Sequence, residues 1–416
     1  MAAEKTDIWV YAHWLGMAEP QFIGILSAHQ AKGRKAFGFS FNPAWLQSHT
    51  PLLLDPDISW FAGPQFPNGK ENFGVFLDSM PDRWGRTLMK RRAAQLAKEA
   101  GTNAPTLYEI DFLLGVQDES RMGGLRFKLD PEGPFLNNDT ATPIPPHSSI
   151  RDLQYAANVV EHDADNEAVN KWLAILLAPG SSLGGARPKA NIIDEHSHLW
   201  IAKFPSKNDS IDKGAWEFLV YQLAVQAGVT MSESKLLQVA GKHHTFLTKR
   251  FDRQVHGRIH FASAMTMTGN TESILRDQPA SYLELAEFIQ FSGATSKEDL
   301  HQLWRRIVFN IAVSNTDDHL RNHGFLLTSK GWRLSPAFDI NPSIERDGLS
   351  LNITMEENAL DFDLAQSVGA YFQLTIAEMQ QILDQVKSAV KNWRQLAGTL
   401  KIPRQEQEIM EPAFRH

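Results

Sequence analysis

The chain reads Asn315-Thr316-Asp317-Asp318-His319-Leu320-Arg321-Asn322 between a helix-patterned stretch and the apolar run Phe325 to Leu327. A polar segment between two buried elements is expected to form a loop on a rigid stem, and such loops commonly carry function. Thr328 to Gly331 is typical of a turn, and Trp332 to Leu334 of the returning strand of a hairpin. This hairpin would bring Asp339 back beside Asn322.

The segment supplies the side chains that phosphoryl transfer requires. A carboxylate orients the attacking hydroxyl group, and oxygen ligands hold Mg²⁺ against the phosphates of ATP. Asp317, Asn322 and Asp339 supply that set. The five-residue step from Asp317 to Asn322 matches the Asp-x-x-x-x-Asn step of protein-kinase catalytic loops. The His-Arg-Asp and Asp-Phe-Gly signatures of those kinases are absent from the sequence.

The same residues also have ordinary structural interpretations. Asp and Asn frequently cap helices and form turns. His319 and His323 are four residues apart, a spacing that could bind zinc on a helix. Gly324 follows at once and favours a loop there instead.

Three upstream features occur in the order that a kinase requires. The glycine-rich segment Gly180 to Ala186 leads into a predicted strand, where backbone N–H groups could approach phosphates. Lys203 stands where strand alternation expects an apolar side chain, and a buried lysine needs a partner. Glu217, early in the following helix, could be that partner. The structural alternatives are a flexible loop at the glycines and a strand-end Lys203 whose ammonium group reaches water.

Composition limits the class of protein. The chain has 416 residues, 43% of them hydrophobic, enough to bury the cores of two or three packed lobes. It has no cysteine, which excludes disulfides, thiolate zinc sites and a cysteine nucleophile. No stretch of 18 apolar residues occurs, so we expect a cytoplasmic protein with no membrane partner. The net charge of −7 argues against direct binding of nucleic acid.

The order of predicted elements gives a mixed α/β N-terminal lobe and a mainly α C-terminal lobe. Proline and small polar residues predict a loop from Asp130 to Ser149, and after about Ala280 the pattern becomes helical. The predicted strands are Ile8 to Ala12, Ala36 to Phe41, Lys189 to Ile193, Leu199 to Phe204 and Thr245 to Thr248. Helices are predicted at Trp84 to Ala100 and at Ala215 to Ala227. Two further helices are predicted within 303–312 and 379–393, because the apolar residues there fall on one helical face. We predict domains at 1–130, 150–254 and 255–416.

Four stretches resemble, in order and approximate spacing, the signatures of the HipA-like serine/threonine kinases, which are toxins of bacterial toxin–antitoxin pairs. They are Ser181-Ser182-Leu183-Gly184-Gly185-Ala186-Arg187-Pro188-Lys189-Ala190, Phe251-Asp252-Arg253, Asn315-Thr316-Asp317-Asp318-His319 and Ser335-Pro336-Ala337-Phe338-Asp339. The run Phe76 to Arg86 also resembles the segment that precedes the kinase core in full-length members. The resemblance therefore covers nearly the whole chain.

The resemblance implies a two-lobed fold related to protein and phosphoinositide kinases, with ATP and Mg²⁺ in the cleft between the lobes. It implies that Asp317 is the catalytic base and that Asn322 and Asp339 bind Mg²⁺. Family members phosphorylate a serine of their own glycine-rich loop and are inactivated by it; the matching position is Ser182, with Ser181 as second choice. The remaining implied ATP contacts are the loop residues Ser182, Gly184, Gly185 and Ala186, the phosphate-binding Lys203, the adenine hinge from Lys249 to Phe251, and Asp252 near the ribose.

The resemblance also implies partners. The usual partner is a small helix-turn-helix antitoxin (HipB-like) that binds operator DNA as a dimer, so DNA is expected only through that complex. The usual substrate is a protein, such as an aminoacyl-tRNA synthetase. Asp318 departs from the pattern, since an extra acid would raise the pKa of Asp317 if both stayed charged and close. Two rival functions stay open: a small-molecule kinase on the same scaffold, and an inactive kinase-like module that acts as corepressor.

Overall fold

The computed structural model describes residues 4–14, 16–31, 34–136, 144–162, 176, 185–254 and 257–416. The strands in these ranges are β1 (Glu4–Ala12), β2 (Gln21–Ala31), β3 (Arg34–Phe41), β4 (Leu125–Lys128), β5 (Lys189–Ile193), β6 (Leu199–Lys203), β7 (Ser234–Leu237), β8 (Thr245–Lys249), β9 (Arg253–Gln254), β10 (Gly257–Arg258), β11 (Phe261–Ser263), β12 (Gly324–Thr328) and β13 (Gly331–Leu334). The helices are α1 (Pro43–Ser48), α2 (Gly74–Leu77), α3 (Arg83–Glu99), α4 (Glu109–Gly115), α5 (Ile150–His162), α6 (Lys213–Gln226), α7 (Ala264–Met267), α8 (Glu272–Asp277), α9 (Tyr282–Ser292), α10 (Ser296–Ala312), α11 (Phe362–Ser367), α12 (Ile376–Val390), α13 (Trp393–Thr399) and α14 (Arg404–Met410). Short 3₁₀ turns lie at His147–Ser149, Leu320–Asn322, Gly369–Phe372 and Glu411–Ala413.

The chain forms two compact units. Unit 1 comprises Met1–Lys207 and Asp252–Ala262, and unit 2 comprises Asn208–Phe251 and Ser263–His416. Unit 1 mixes strands and helices, whereas unit 2 is mainly helical, which confirms the predicted fold class. The predicted domain boundaries stay a prediction. None of the helices within the described ranges combines the length and the apolarity needed to cross a membrane.

The N-terminal core of unit 1 is built on an antiparallel sheet with the strand order β3-β2-β1-β4. Ile8, Val10 and Ala12 alternate along β1 and are fully buried, because successive side chains of a strand point to opposite faces of the sheet. Phe37, Phe39 and Phe41 fill the same core from β3. The alternation that predicted these strands is therefore the pattern of one buried face.

Helix α3 contacts Gly185 at the end of the glycine-rich segment, and strand β5 follows that segment in the sequence. Helix α3 begins at Arg83, and the Asp82 side chain caps it by accepting a hydrogen bond from the backbone N–H of Gly85. Strands β5 and β6 form an antiparallel hairpin in which Lys189 pairs with Lys203. Strand β5 has the predicted bounds, and α3 is shifted from the predicted helix by one residue.

Unit 2 is organised around the buried helix α10, which packs against α9 and α12. Capping boxes start both neighbours: Ser281 with Glu284 begins α9, and Thr375 with Glu378 begins α12. After α10 the chain forms the 3₁₀ turn at Leu320–Asn322 and then the β12–β13 hairpin. This order places the candidate loop between a buried helix and the β12–β13 hairpin, which belongs to a three-stranded sheet with the order β11-β12-β13.

Candidate active site

Helix α10 carries the candidate loop and ends just before it. Its apolar side chains from Leu300 to Ala312 are buried, so the end of the helix is fixed inside unit 2. Ser314 adopts a left-handed conformation with φ 48°. The backbone N–H of Asn315 donates to the carbonyl of Asn310 over 2.8 Å, the six-to-one bond of a Schellman helix ending. The chain therefore turns sharply at Asn315, the first residue of the predicted loop.

The two ends of the kinase-like step, Asp317 and Asn322, are joined by a hydrogen bond. Nδ2 of Asn322 donates to the backbone carbonyl of Asp317 over 3.2 Å. The hydroxyl of Ser350 donates to the neighbouring carbonyl of Thr316 over 2.8 Å. The Asp317 side chain is 76% exposed, and its Oδ1 lies 3.9 Å from Nη1 of Arg346. The backbone of Asp317 is thus held in place while its carboxylate projects outward.

Asn322 presents an oxygen atom at the end of this step. The residue is buried at the last position of the 3₁₀ turn, and its backbone N–H donates to the carbonyl of His319 over 2.8 Å. Because Nδ2 is engaged with Asp317, the amide oxygen Oδ1 is the atom that Asn322 can offer to a cation. Amide and carboxylate oxygens are ligands that Mg²⁺ accepts.

Asp339 is the other predicted metal ligand, and its segment is attached to the loop. The predicted hairpin is confirmed, with Phe325 of β12 opposite Leu334 of β13. Asp339 is half-buried with φ 59°, in the left-handed region. Two residues later, the backbone N–H of Asn341 donates to Oδ1 of Asn315 over 3.3 Å, and its Nδ2 donates to Oδ1 of Asp339 over 3.3 Å. The side chain of Asn315 therefore ties the Asp339 segment to the candidate loop.

Asp318 has a different environment from Asp317. Its carboxylate is buried and accepts hydrogen bonds from the hydroxyl of Tyr282 and from Nδ2 of Asn310, and it faces Nε2 of His323 over 2.8 Å. Burial raises the pKa of Asp318, but the charge and hydrogen bond of His323 and the Tyr282 hydroxyl outweigh it, so the pKa lies below its ordinary value. The expected effect of Asp318 on Asp317 assumed that both carboxylates share one site. Asp318 instead anchors the loop to the core of unit 2.

His319 and His323, the alternative zinc pair, do not lie on a helix. The 3₁₀ turn separates them, and His323 is directed at Asp318. Among the residues that the structure describes, no three His, Cys, Asp or Glu side chains cluster in a way that could hold a metal ion. A kinase Mg²⁺ site needs fewer protein ligands, because phosphates and water complete its shell. Asn322 and Asp339 fit that requirement by the chemistry of their donor atoms.

The glycine-rich segment lies mostly outside the described residues, Ser181, Ser182 and Gly184 among them. Gly185 and Ala186 are described and exposed. Gly185 has φ 109°, a conformation that favours glycine, and a Cβ added there would meet Nζ of Lys189 at 3.1 Å. The backbone conformation favours glycine at this position, and a larger residue would also crowd the ammonium group of Lys189.

The structure reveals a buried ion pair that sequence reasoning missed. Nζ of Lys189 lies 2.8 Å from Oδ2 of Asp82, and both side chains are 2% exposed. Burial raises the pKa of the Asp82 carboxyl, and the Lys189 ammonium group opposes that rise. Strand alternation predicted that Lys203 is the buried strand lysine, but Lys203 is half-buried and Lys189, opposite it in register, is the buried one. Asp82 lies within Phe76 to Arg86, the run that resembles a segment of full-length HipA-like kinases. That resemblance is the sequence signal that could have identified Asp82 as a functional residue.

The other predicted ATP contacts are distributed over both units. Glu217 is buried on α6 of unit 2, and its pairing with Lys203 of unit 1 stays a prediction. In unit 2 the backbone N–H of Lys249 donates to the carbonyl of Glu233 over 2.8 Å. The Phe251 ring packs on Phe338 with centroids 5.5 Å apart, beside Asp339 in the sequence. The predicted hinge and metal-ligand segments of unit 2 are thus in contact.

Asp252, predicted near the ribose, is fully buried in unit 1. Its Oδ2 accepts a hydrogen bond from the backbone N–H of Gly123 over 2.8 Å and pairs with Nη1 of Arg253. A carboxylate held in this way organises the surrounding backbone. This environment fits a structural role better than a contact with ribose.

Comparison with known proteins gives matches of three kinds. Residues 181–393, about half of the chain, match the family model described as HipA-like C-terminal domain. A relative from Haemophilus influenzae named "Putative kinase" is 26% identical over 214 residues, which cover 44% of this chain and 62% of the relative. A relative from Sinorhizobium fredii named "Putative kinase Y4dM" is 27% identical over 214 residues, which cover 47% of this chain and 50% of the relative. The chain therefore spans about half to three-fifths of the curated relatives that it matches.

Among solved structures, the chain is similar to a chain of the Shewanella oneidensis toxin–antitoxin complex of HipA and HipB with operator DNA. The TM-score is 0.65, with 16% identity, and the match covers 97% of this chain and 94% of that chain. At this identity the similarity shows the fold. It confirms the predicted HipA type of fold.

Proposed function

Because this chain belongs to the family with a HipA-like C-terminal domain, we propose that it is an ATP-dependent serine/threonine protein kinase. The observation that carries the proposal is the loop in which Asn322 clamps the carbonyl of Asp317 while Asn315 holds the Asp339 segment. It combines one projecting carboxylate with two side chains that offer oxygen ligands, as phosphoryl transfer requires. The two relatives described as kinases support the same reaction class.

In this proposal Asp317 orients the acceptor hydroxyl and takes its proton. The hydroxyl oxygen bonds to the γ-phosphorus, the bond from that phosphorus to the bridging oxygen breaks, and ADP leaves. Asn322 and Asp339 hold Mg²⁺, which when bound neutralises charge on the β- and γ-phosphates. Positioned general bases typically contribute about 10²- to 10⁴-fold to rate. The exposed Asp317 carboxylate can reach a bulky acceptor such as a protein serine.

Regulation by the glycine-rich segment is a second part of the proposal. Ser182, with Ser181 as second choice, becomes phosphorylated by the kinase itself, and Lys203 binds the phosphates of ATP. A phosphoserine adds nearly two negative charges to a segment that must cradle anionic phosphates. Modification at Ser182 should therefore weaken ATP binding and silence the enzyme.

A third part concerns partners. We propose that a small helix-turn-helix antitoxin restrains the kinase and brings it to operator DNA, and that the acceptor is a protein such as an aminoacyl-tRNA synthetase. The solved structure of similar fold comes from a toxin–antitoxin complex with operator DNA. The net charge of −7 fits a chain that reaches DNA through a partner.

The test of the enzymatic proposal compares the parent with Asp317→Asn and a matched control, Asp277→Asn. Both substitutions remove one exposed carboxylate, and Asp277 lies at the end of α8, away from the loop in sequence. With ATP and Mg²⁺ the parent and Asp277→Asn should transfer phosphate, and Asp317→Asn should be slower by about 10²-fold or more. Equal rates for all three proteins would overturn the assignment of Asp317.

Nucleotide binding separates the kinase from the inactive corepressor. A ligand at 100 times its dissociation constant adds about 2.7 kcal/mol to the free energy of unfolding. The kinase proposal predicts this stabilisation by ATP with Mg²⁺ in a thermal shift experiment. A parent protein that ATP and Mg²⁺ fail to stabilise supports the corepressor module instead.

A further inference from the structure

The first turn of α3 holds the chain on both sides of residues 186–188. The backbone N–H of Trp84 donates to the carbonyl of Gly185 over 3.4 Å. Its indole Nε1–H donates to the carbonyl of Lys189 over 3.1 Å. The Lys189 ammonium group in turn binds Oδ2 of Asp82. One helical turn therefore contacts the last glycine of the glycine-rich segment and the first residue of β5.

In the clamp formed by Asp82, Trp84, Gly185 and Lys189, the three side chains are buried, whereas Gly185 is exposed. Asp82 uses its second oxygen, Oδ1, to accept from the backbone N–H of Gly85 over 2.8 Å, so the same carboxylate caps α3 and binds Lys189. Trp84 is 5% exposed. Lys189 supports Gly185 from below, since its Nζ lies where a Cβ at position 185 would be in contact. Side chains in such a setting have little freedom to move without the segment that they hold.

We propose that this clamp is a positioning element for the nucleotide: it fixes Gly185, at the end of the glycine-rich segment, and Lys189 in the positions that the phosphates of ATP require. The inference rests on the proposed function and assigns Asp82, Trp84 and Lys189 to it. A phosphate cradle depends on backbone geometry, because the N–H groups must all point at one anion. Glycine is conformationally permissive, and the clamp holds the backbone at Gly185.

The clamp predicts an effect confined to the phosphates. Adenosine carries the same base and ribose as ATP but has no phosphate. A misplaced phosphate cradle should therefore lower the affinity for ATP and leave the affinity for adenosine unchanged. Substitution of a residue with a merely structural role would lower the affinities for both ligands alike or would lower only the thermal stability. The ratio of the two affinities therefore isolates positioning from folding.

The first experiment measures the affinities of ATP with Mg²⁺ and of adenosine by calorimetry for the parent, Trp84→Phe and Trp60→Phe. Trp84→Phe keeps the aromatic ring and removes the indole N–H that binds Lys189. Trp60→Phe is the same exchange at a half-buried tryptophan of unit 1 outside the clamp. We expect Trp84→Phe to bind ATP about fivefold more weakly, the equivalent of one net hydrogen bond, with adenosine unchanged. Trp60→Phe should match the parent for both ligands.

A second variant tests the ion pair. The Asp82→Asn substitution alone leaves a buried ammonium group without its carboxylate, and such a protein can fail to fold. It is therefore combined with Lys189→Met, so that the double variant lacks both charges. The double variant should also bind ATP more weakly while adenosine binding is kept. If both variants bind ATP like the parent, or lose ATP and adenosine equally, the inference is overturned and the kinase proposal stands. A parent that binds ATP but transfers no phosphate overturns the kinase alone, and a parent that binds no ATP overturns both.

Discussion

At the scale of single residues, two adjacent aspartates have opposite environments. Asp317 is 76% exposed, and Asp318 is 3% exposed within a hydrogen-bonded cluster. Their positions follow from the turn after α10, because neighbouring residues in a tight loop must point in different directions. One carboxylate is thereby available to a substrate, and the other holds the loop in place.

Replacing the buried carboxylate should cost stability in a pH-dependent way. Asp318→Asn removes the carboxylate that accepts hydrogen bonds from Tyr282 and Asn310 and faces His323, and a buried polar group left without its partner typically costs about 1–3 kcal/mol. The pKa of Asp318 is lowered from 3.8. Its stabilising contribution is therefore complete above about pH 4 and is lost as the pH falls through the lowered value. Urea unfolding at several pH values should show the largest parent–variant difference near neutral pH; a difference that is constant down to pH 3 contradicts this assignment.

Asn322 has two functions that two substitutions can separate. Asn322→Asp keeps an oxygen ligand but loses the Nδ2–H that holds the Asp317 carbonyl, whereas Asn322→Ala loses both. We expect Asn322→Asp to retain Mg²⁺-dependent ATP binding and to lower kcat by about 10- to 100-fold, since small misplacements of a catalytic group are costly. Asn322→Ala should weaken the Mg²⁺ dependence as well. Identical behaviour of the two variants would contradict the assignment of the Asn322 side-chain oxygen as a Mg²⁺ ligand, and an Asn322→Asp variant with the kcat of the parent would show that the hydrogen bond from Nδ2 to Asp317 is irrelevant.

At the scale of elements, the helix ending before the loop is strained. Ser314 occupies a left-handed position that is usually glycine in a Schellman ending. Ser314→Gly and Ser314→Ala both remove the hydroxyl that Nε of Arg415 contacts at 3.3 Å, so their difference reports the backbone alone. The glycine variant should be more stable than the alanine variant by about 1 kcal/mol in chemical unfolding. Equal free energies of unfolding for the two variants would mean that the left-handed conformation at position 314 is no less favourable for alanine than for glycine.

Elements with a strong local pattern could be predicted from the sequence. The strand from Lys189 to Ile193 and the β12–β13 hairpin follow from alternation and from a Ser-Lys-Gly turn. The exact residue at which a helix begins is harder to predict, because the signal is a single capping side chain, as at Asp82 before α3. The direction of a side chain within a loop has no periodic signal. The opposite environments of Asp317 and Asp318 therefore became visible only in the structure.

At the scale of the whole molecule, the order of motifs predicted the fold, but contacts between distant segments escaped it. Asp82 and Lys189 are 107 positions apart, and no local pattern links a helix cap to a strand lysine. Alternation alone predicted Lys203, but alternation does not tell how deeply a lysine at the end of a strand is buried, and the two paired strands are otherwise covered to the same extent. The buried pair also connects the N-terminal region to the glycine-rich segment, a connection that the separate motifs did not suggest.

The charge of the whole chain predicts how it meets DNA. With a net charge of −7 it lacks the field that attracts a polyanion. In fluorescence anisotropy the chain alone should not bind duplex DNA at physiological salt, and a complex with its helix-turn-helix partner should bind. Salt-sensitive binding by the chain alone would contradict the proposed dependence on a partner.

The central claim is that the loop from Asn315 to Asp339 transfers phosphate. The most direct measurement is the intact mass of the purified protein before and after incubation with ATP and Mg²⁺, with the modified residue mapped by peptide sequencing. We predict a gain of one phosphate at Ser182 in the parent and no gain in Asp317→Asn. An unchanged mass of a parent shown to be unmodified at the start, or an equal gain in Asp317→Asn, would contradict it.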